Sequence, residues 1–223
     1  MKRFILCFAI LLTVLPSGCT YFETRIGKEF QESCQSHAYS QVPILDFISK
    51  RYTPNAPVRI GVVPASAPAN MSSLYIEQPS AGNQLAWRIQ QDLLNYGELP
   101  IVEVLNRQEW PGKRDEFFTG NFGAIRYARD AGYDMVIVSW IEPMRAPDTM
   151  SAFAKVIEVE SGTTIYYGKS TAISNRQEYK NAVANLGILR RTPAELPTSF
   201  VMDKLGQCVS QAIMKDSSTP KIN

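Results

Sequence analysis

Histidine is almost missing from this sequence: His37 is the only one in 223 residues. A serine or cysteine nucleophile served by an imidazole base would have to use that residue. It lies in an N-terminal extension, ahead of the stretches that read as the folded core. A zinc site fares no better, because one histidine and four cysteines leave no set of the usual ligands once the cysteines are assigned below. No apolar run reaches the roughly 20 residues that a membrane-spanning helix needs. No cluster of lysine and arginine offers a footing for a phosphate backbone, which excludes nucleic acid as a partner. Nor is there a glycine-rich phosphate cradle, since the GNFG stretch at residues 120–123 lacks the lysine and the spacing of one. No cofactor is implied.

Two further features are weighed and set aside as chemistry. Glu158 and Glu160 stand two apart on a predicted strand and share a face. Paired carboxylates can do acid–base work on a glycoside, but beside a turn they read as the wet side of an edge strand. Arg190 and Arg191 fall in a polar stretch and read as solvated loop residues rather than a lipid or peptidoglycan site. With no catalytic set assembled, the chain is expected not to be an enzyme.

What is present begins at the N-terminus. Lys2 and Arg3 precede an apolar stretch over residues 4–15, and that core of about 12 residues suits an export signal occupying residues 1–18. Pro16, Ser17 and Gly18 lead to Cys19. Ser17, Gly18 and Cys19 resemble the bacterial lipobox, in which a leucine, two small residues and a cysteine mark lipid attachment. The leucine stands one place early, at Leu15, with Pro16 in its position. The resemblance implies that Cys19 carries the fatty-acyl anchor. The bland alternative is ordinary cleavage near Gly18. Thr20, being other than Asp, implies sorting to the outer membrane. Loss of residues 1–18 removes Lys2 and Arg3, so 23 basic residues become 21 against 21 acidic ones, and the mature body is formally neutral.

Cysteine usage follows from that location. Cys7 leaves with the signal and Cys19 takes the lipid, which leaves Cys34 and Cys208. In an oxidising periplasm an even remainder favours one disulfide. Cys34 continues the stripe Phe22, Ile26, Phe30, and Cys208 sits among Val201, Leu205, Val209 and Ile213, so both are expected to point inward from amphipathic helices. Two unrelated buried thiols are the alternative.

Along the chain, residues 21–40 read as a helix and residues 41–57, with three prolines, as a loop-like approach. Residues 19–57 are thus anchor, N-terminal helix and linker. Residues 58–64, VRIGVVP, form a short β-branched run that suits a buried strand. Residues 65–82 are too long for a simple connection. Ser80 caps a helix that carries Leu85, Ile89 and Leu93 on one face and stops at Gly97. Residues 99–105 are a second strand. Residues 121–131 are a helix with Phe122, Ile125 and Ala128 inward, closed by Gly132. Residues 133–141, the most apolar strand, should be central. Residues 151–174 give two antiparallel strands about a Ser161-Gly162 turn. A polar stretch over residues 175–197 precedes a final helix to about Met214, and residues 215–223 read as a frayed tail. The order β-α-β-α-β-β-β-α predicts an α/β domain over residues 58–214, with a mixed four- to five-stranded sheet and helices packed on it.

The succession VRIGVVP, IVEVLNRQEW, AGYDMVIVSWI and FAKVIEVESGTTIYYG, over residues 58–174, resembles a group of bacterial envelope proteins. The group includes the curli secretion channel lipoprotein, lipoprotein activators of penicillin-binding proteins, flagellar outer-membrane lipoproteins and the N-terminal domain of the Tol-Pal translocation protein. The resemblance implies a fold like the anticodon-binding domain. It also implies an outer-membrane lipoprotein, facing the periplasm, that binds or recruits another envelope protein, with homo-oligomers an option. The alternative it offers is an oligomeric secretion channel of the curli type. A pore hairpin needs roughly 20 alternating residues. The ten residues after Trp140 are too few and hold two prolines, and residues 175–197 do not alternate. Partner contacts are placed on loops: Leu74, Tyr75 and Ile76 in the long connection, and Met144, Arg145 and Met150 after the central strand, because aromatic, Met and Arg side chains are enriched at interfaces. Tyr75 and Ile76 folding back over the core is the alternative there.

Overall fold

The computed structural model describes residues 33–53, 56–68, 71, 80–105, 113–175, 181 and 198–215. Cys19, Leu74, Tyr75, Ile76, Arg190 and Arg191 lie outside the described residues, as do the export signal and the tail. Residues 35–223 group as one unit, and of the unit formed by residues 1–34 only Ser33 and Cys34 are described.

The elements in chain order are β1 (Cys34–Gln41), α1 (Ile44–Arg51), β2 (Arg59–Val62), α2 (Ala81–Asn95), β3 (Ile101–Val104), α3 (Lys113–Thr119), α4 (Phe122–Asp130), β4 (Met135–Ile141), β5 (Thr149–Glu158), β6 (Thr164–Ile173) and α5 (Thr198–Met214). The six strands form one mixed sheet in the order β1-β6-β5-β4-β2-β3. The crossovers through α2 and α3–α4 set β3 and β4 parallel to β2 on either side of it, as strands separated by helices require. The hairpin β5–β6 then continues antiparallel from β4.

The α/β class, the mixed sheet, the central β4 and the late hairpin are those expected. Gly162 has φ +73°, a conformation open to glycine at little cost, and it sits in the tight connection that pairs Val156 with Tyr166. Ser80 caps α2 by accepting a hydrogen bond from the Asn83 N–H. Leu85, Ile89 and Leu93 on that helix are fully buried.

Four expectations are corrected. The segment from Cys34 to Gln41 is an edge strand, not the end of a helix. Its sequence, CQSHAYSQ, is weakly helical, and pairing with the edge of β6 decides its state. The sheet therefore has six strands. Residues 44–51, placed in a proline-rich approach, form α1. Pro43 stands just before the first turn, where no N–H is needed, while Asp46 in the first turn and Lys50 and Arg51 in the last complement the helix dipole. Phe122 does not point inward but is 76% exposed at the start of α4. Met150 is not in a loop: it is the second residue of β5 and 1% exposed. The central hairpin extends two residues further than its sequence pattern indicates, which carries Met150 into the core.

Helices pack on both sides of the sheet. α2 and α5 pack on each other and on β2, β3, β5 and β6, burying Val201, Leu205, Val209 and Ile213. On the other side, Phe117 of α3 and Ala124, Ile125 and Ala128 of α4 form a cluster with Val136 and Val138 of β4. Pleating sends the alternate β4 residues Met135, Ile137 and Ile141, all fully buried, to the α2–α5 side. The connection from β4 to β5 is residues 142–148, far short of the roughly 20 residues of a membrane-crossing hairpin. Among the described residues, no helix is long and apolar enough to cross a membrane.

Candidate interface on the open half of the sheet

The β5–β6 hairpin repeats one short pattern: Phe153-Ala154-Lys155 on β5 and Tyr167-Gly168-Lys169 on β6. In each, the aromatic residue and the lysine are two apart and share a face. The antiparallel register crosses them, so that Phe153 lies opposite Lys169 and Lys155 opposite Tyr167. On the neighbouring strand Trp140 lies opposite Phe153 and Val138 opposite Lys155. Val138 belongs to the α3–α4 cluster, so this row occupies the same side as those two helices.

α3 and α4 lie over β4, and the rings beyond it are left partly open. Trp140, Phe153 and Tyr167 are half-buried, Phe118 of α3 is 52% exposed and Tyr39 of β1 is 53% exposed. Ring centroids step across the strands at 5.4 Å from Phe118 to Trp140, 5.5 Å from Trp140 to Phe153 and 6.3 Å from Phe153 to Tyr39. Tyr39 also lies 5.0 Å from Tyr167 and 4.9 Å from His37. Spacings of this size are those of attractive ring pairs. The result is a continuous aromatic row across four strands, held by a rigid sheet.

Two cations punctuate the row. The Lys155 ammonium donates to the Phe117 carbonyl at 2.5 Å and lies 4.5 Å from the centre of the Phe117 ring and 5.1 Å from that of Tyr167. Burial pushes its pKa down. Lys169 lies 5.2 Å from the Phe153 ring and is ion-paired with Glu142. Partly exposed rings gathered on one face of the sheet make it a candidate contact surface.

The carboxylates at 158 and 160 are committed elsewhere. Glu158, 1% exposed, accepts hydrogen bonds from the Ser161 hydroxyl and from the Ser161 N–H, the latter at 2.6 Å. Arg51 reaches Glu158 at 3.4 Å and Glu160 at 2.6 Å. Burial pulls the Glu158 carboxyl up, and the Ser161 hydrogen bonds with the Arg51 charge overcome that pull and hold it below the usual range. Their visible work is to fasten the hairpin turn to the end of α1. Among the described residues, no three His, Cys, Asp or Glu side chains gather into a group able to hold a metal ion.

The remaining sequence-derived residues divide. Cys34 and Cys208 are joined by a disulfide, although Cys34 reaches it from a strand. Met144 is half-buried and Arg145 exposed, both in the loop after β4. Met150 faces the core. The aromatic row was not singled out from the sequence, because its members come from four strands and one helix. The signal that marks it is the doubled aromatic-small-lysine pattern, whose aromatic members fall on the strand face that alternation assigns to solvent.

No family model and no curated protein matches the chain. Among solved structures it is similar to the PelC dodecamer from Paraburkholderia phytofirmans, at 14% identity and TM-score 0.47, over 81% of this chain and 96% of that one. It is also similar to lipoprotein GNA1162 from Neisseria meningitidis, at 18% identity and TM-score 0.34, over 61% of this chain and 100% of that one. A third is the LpoB C-terminal domain from Salmonella enterica, at 14% identity and TM-score 0.34, over 59% and 94%. Each of these is a likeness of fold at low identity.

Proposed function

We propose that the chain is a non-catalytic lipoprotein of the outer membrane, anchored at Cys19 and facing the periplasm, that binds another envelope protein through the aromatic face. The observation that carries this reading is the row Phe118, Trp140, Phe153, Tyr39 and Tyr167, partly exposed on a face that α3 and α4 leave open. Aromatic anchors on a rigid element bind at low entropic cost. Met144 and Arg145, on the loop that leaves β4 just after Trp140, are included in the proposed contact. Leu74, Tyr75 and Ile76 stand as a second proposed contact. The lipid places the body at the bilayer surface, where a recruiting or regulatory contact with a neighbouring envelope protein operates.

Co-purification from detergent-solubilised envelopes tests it. The Tyr39→Ala plus Phe153→Ala variant of the lipidated chain is expected to lose a protein that the parent retains, at an unchanged melting temperature. The same partners on parent and variant overturn the aromatic face as the contact. Tyr75→Ala plus Ile76→Ala examines the second contact in the same assay, and mass spectrometry of the N-terminal peptide examines the acyl groups on Cys19.

A further inference from the structure

The aromatic face carries an unbalanced charge. Of its two lysines, Lys169 is neutralised by Glu142. Among the described residues no carboxylate pairs with Lys155, and its hydrogen bond goes to a neutral acceptor, the Phe117 carbonyl. An ammonium has three N–H donors, and among the described residues this one spends one of them, on the Phe117 carbonyl. The faces of Phe117 and Tyr167 lend it some stabilisation, but they also strip away water without supplying a counter-ion. The lowered Lys155 pKa is the same imbalance seen from the proton's side. A methionine would fill such a position among rings without the desolvation cost.

We propose that the partner on this face is a protein segment that sets a carboxylate on Lys155 and apolar side chains on the flanking rings, over Trp140 and Phe153 on one side and Tyr39 on the other. The argument is charge complementarity. A cation set between the Phe117 and Tyr167 rings, beside the row and without a carboxylate partner among the described residues, rejects a cationic segment and penalises a purely apolar one, so it selects as well as attracts. The inference rests on the reading of the aromatic face as the binding surface and adds the chemistry of what binds there.

The test uses the full lipidated chain in its own envelope, with p-benzoylphenylalanine placed at position 39 as a photo-crosslinker and the crosslinked peptide sequenced by mass spectrometry. The expected product is a protein segment with Asp, Glu or a C-terminal carboxylate beside the crosslink. Lys155→Glu is expected to lower its yield by about tenfold or more. Lys155→Met is expected to lower it as well, and Lys155→Arg to retain it. Reversing the partner's acidic residue to lysine is expected to restore crosslinking to the Lys155→Glu chain. A crosslinked segment without a carboxylate, an unchanged yield in Lys155→Glu and Lys155→Met, failure of the charge exchange, or crosslinking to lipid in place of protein would each overturn the proposal. If Tyr39→Ala plus Phe153→Ala abolishes co-purification while the Lys155 variants do not, the carboxylate inference fails alone. If neither set has an effect, the aromatic-face reading fails with it.

Discussion

Glu158 is a buried carboxylate whose stabilisation can be switched with protons. It is held ionised by Ser161 and Arg51 against the pull of burial, so its pKa in the folded chain lies below its ordinary value of 4.5. A carboxyl with a depressed folded pKa stabilises the fold above the unfolded pKa, and that stabilisation fades as pH falls through the folded one. Glu158→Gln keeps the shape and removes the charge. The variant is expected to melt below the parent at pH 7, by an amount corresponding to roughly 1–3 kcal/mol. The gap should close as pH drops beneath 4.5, and thermal melts at pH 7 and at acid pH check it. A gap that stays constant with pH shows that shape, not charge, holds the turn. Met150 supplies the opposite case. Its type suggests a contact residue, and only the true start of β5 reveals that it faces the core. Met150→Ala should cost about 2–5 kcal/mol in chemical denaturation while leaving partner binding by the folded fraction unchanged. Loss of binding at normal stability would return Met150 to the surface.

At the level of elements, one close approach sets how α2 meets the sheet. A Cβ built on Gly82 would lie 2.0 Å from the Ala65 carbonyl oxygen, where the first turn of α2 meets the chain leaving β2. Backbone there has no side chain that can yield, so Gly82→Ala is expected to destabilise by about 2–4 kcal/mol, read from urea midpoints. A loss below 0.5 kcal/mol by the same measurement means that α2 slides on β2 at little cost. The parallel strands β2, β3 and β4 were legible because β-branched runs alternate there with helical stripes, and the doubly buried β4 reads as an unbroken apolar block. β1 was not. Its eight residues hold no apolar alternation, and the helical stripe ahead of Cys34 extrapolates naturally into it. α1 was hidden by a count of prolines that ignored where each one stands. The aromatic row was illegible for a different reason: each strand contributes one or two rings, and only the cross-strand register assembles them.

For the whole molecule, the bond between Cys34 and Cys208 is a covalent tie between the two ends of the described residues. The arithmetic of leftover cysteines led to it even though one of the two supporting helices was wrong, because compartment and parity do not depend on local conformation. Closing a loop of about 174 residues removes entropy from the unfolded chain, up to roughly 5 kcal/mol. That figure is a sizeable part of the stability of an ordinary domain. Cys208 is fully buried and Cys34 half-buried, so a thiol reductant can begin exchange only at the Cys34 sulfur, and the Cys208 thiol it releases stays shielded from reagents until the fold opens. Two outcomes follow together. Cys34→Ser plus Cys208→Ser should lower the denaturation midpoint without abolishing the fold, since the core of Leu85, Ile89, Ile137 and Leu205 on one side of the sheet and of Phe117, Ile125 and Val136 on the other remains. Native protein in dithiothreitol should keep Cys208 protected from alkylation until denaturant is added, which peptide mass shifts after quenching measure directly. Rapid labelling of Cys208 in native buffer would mean that the fold opens around it far more easily than its burial implies.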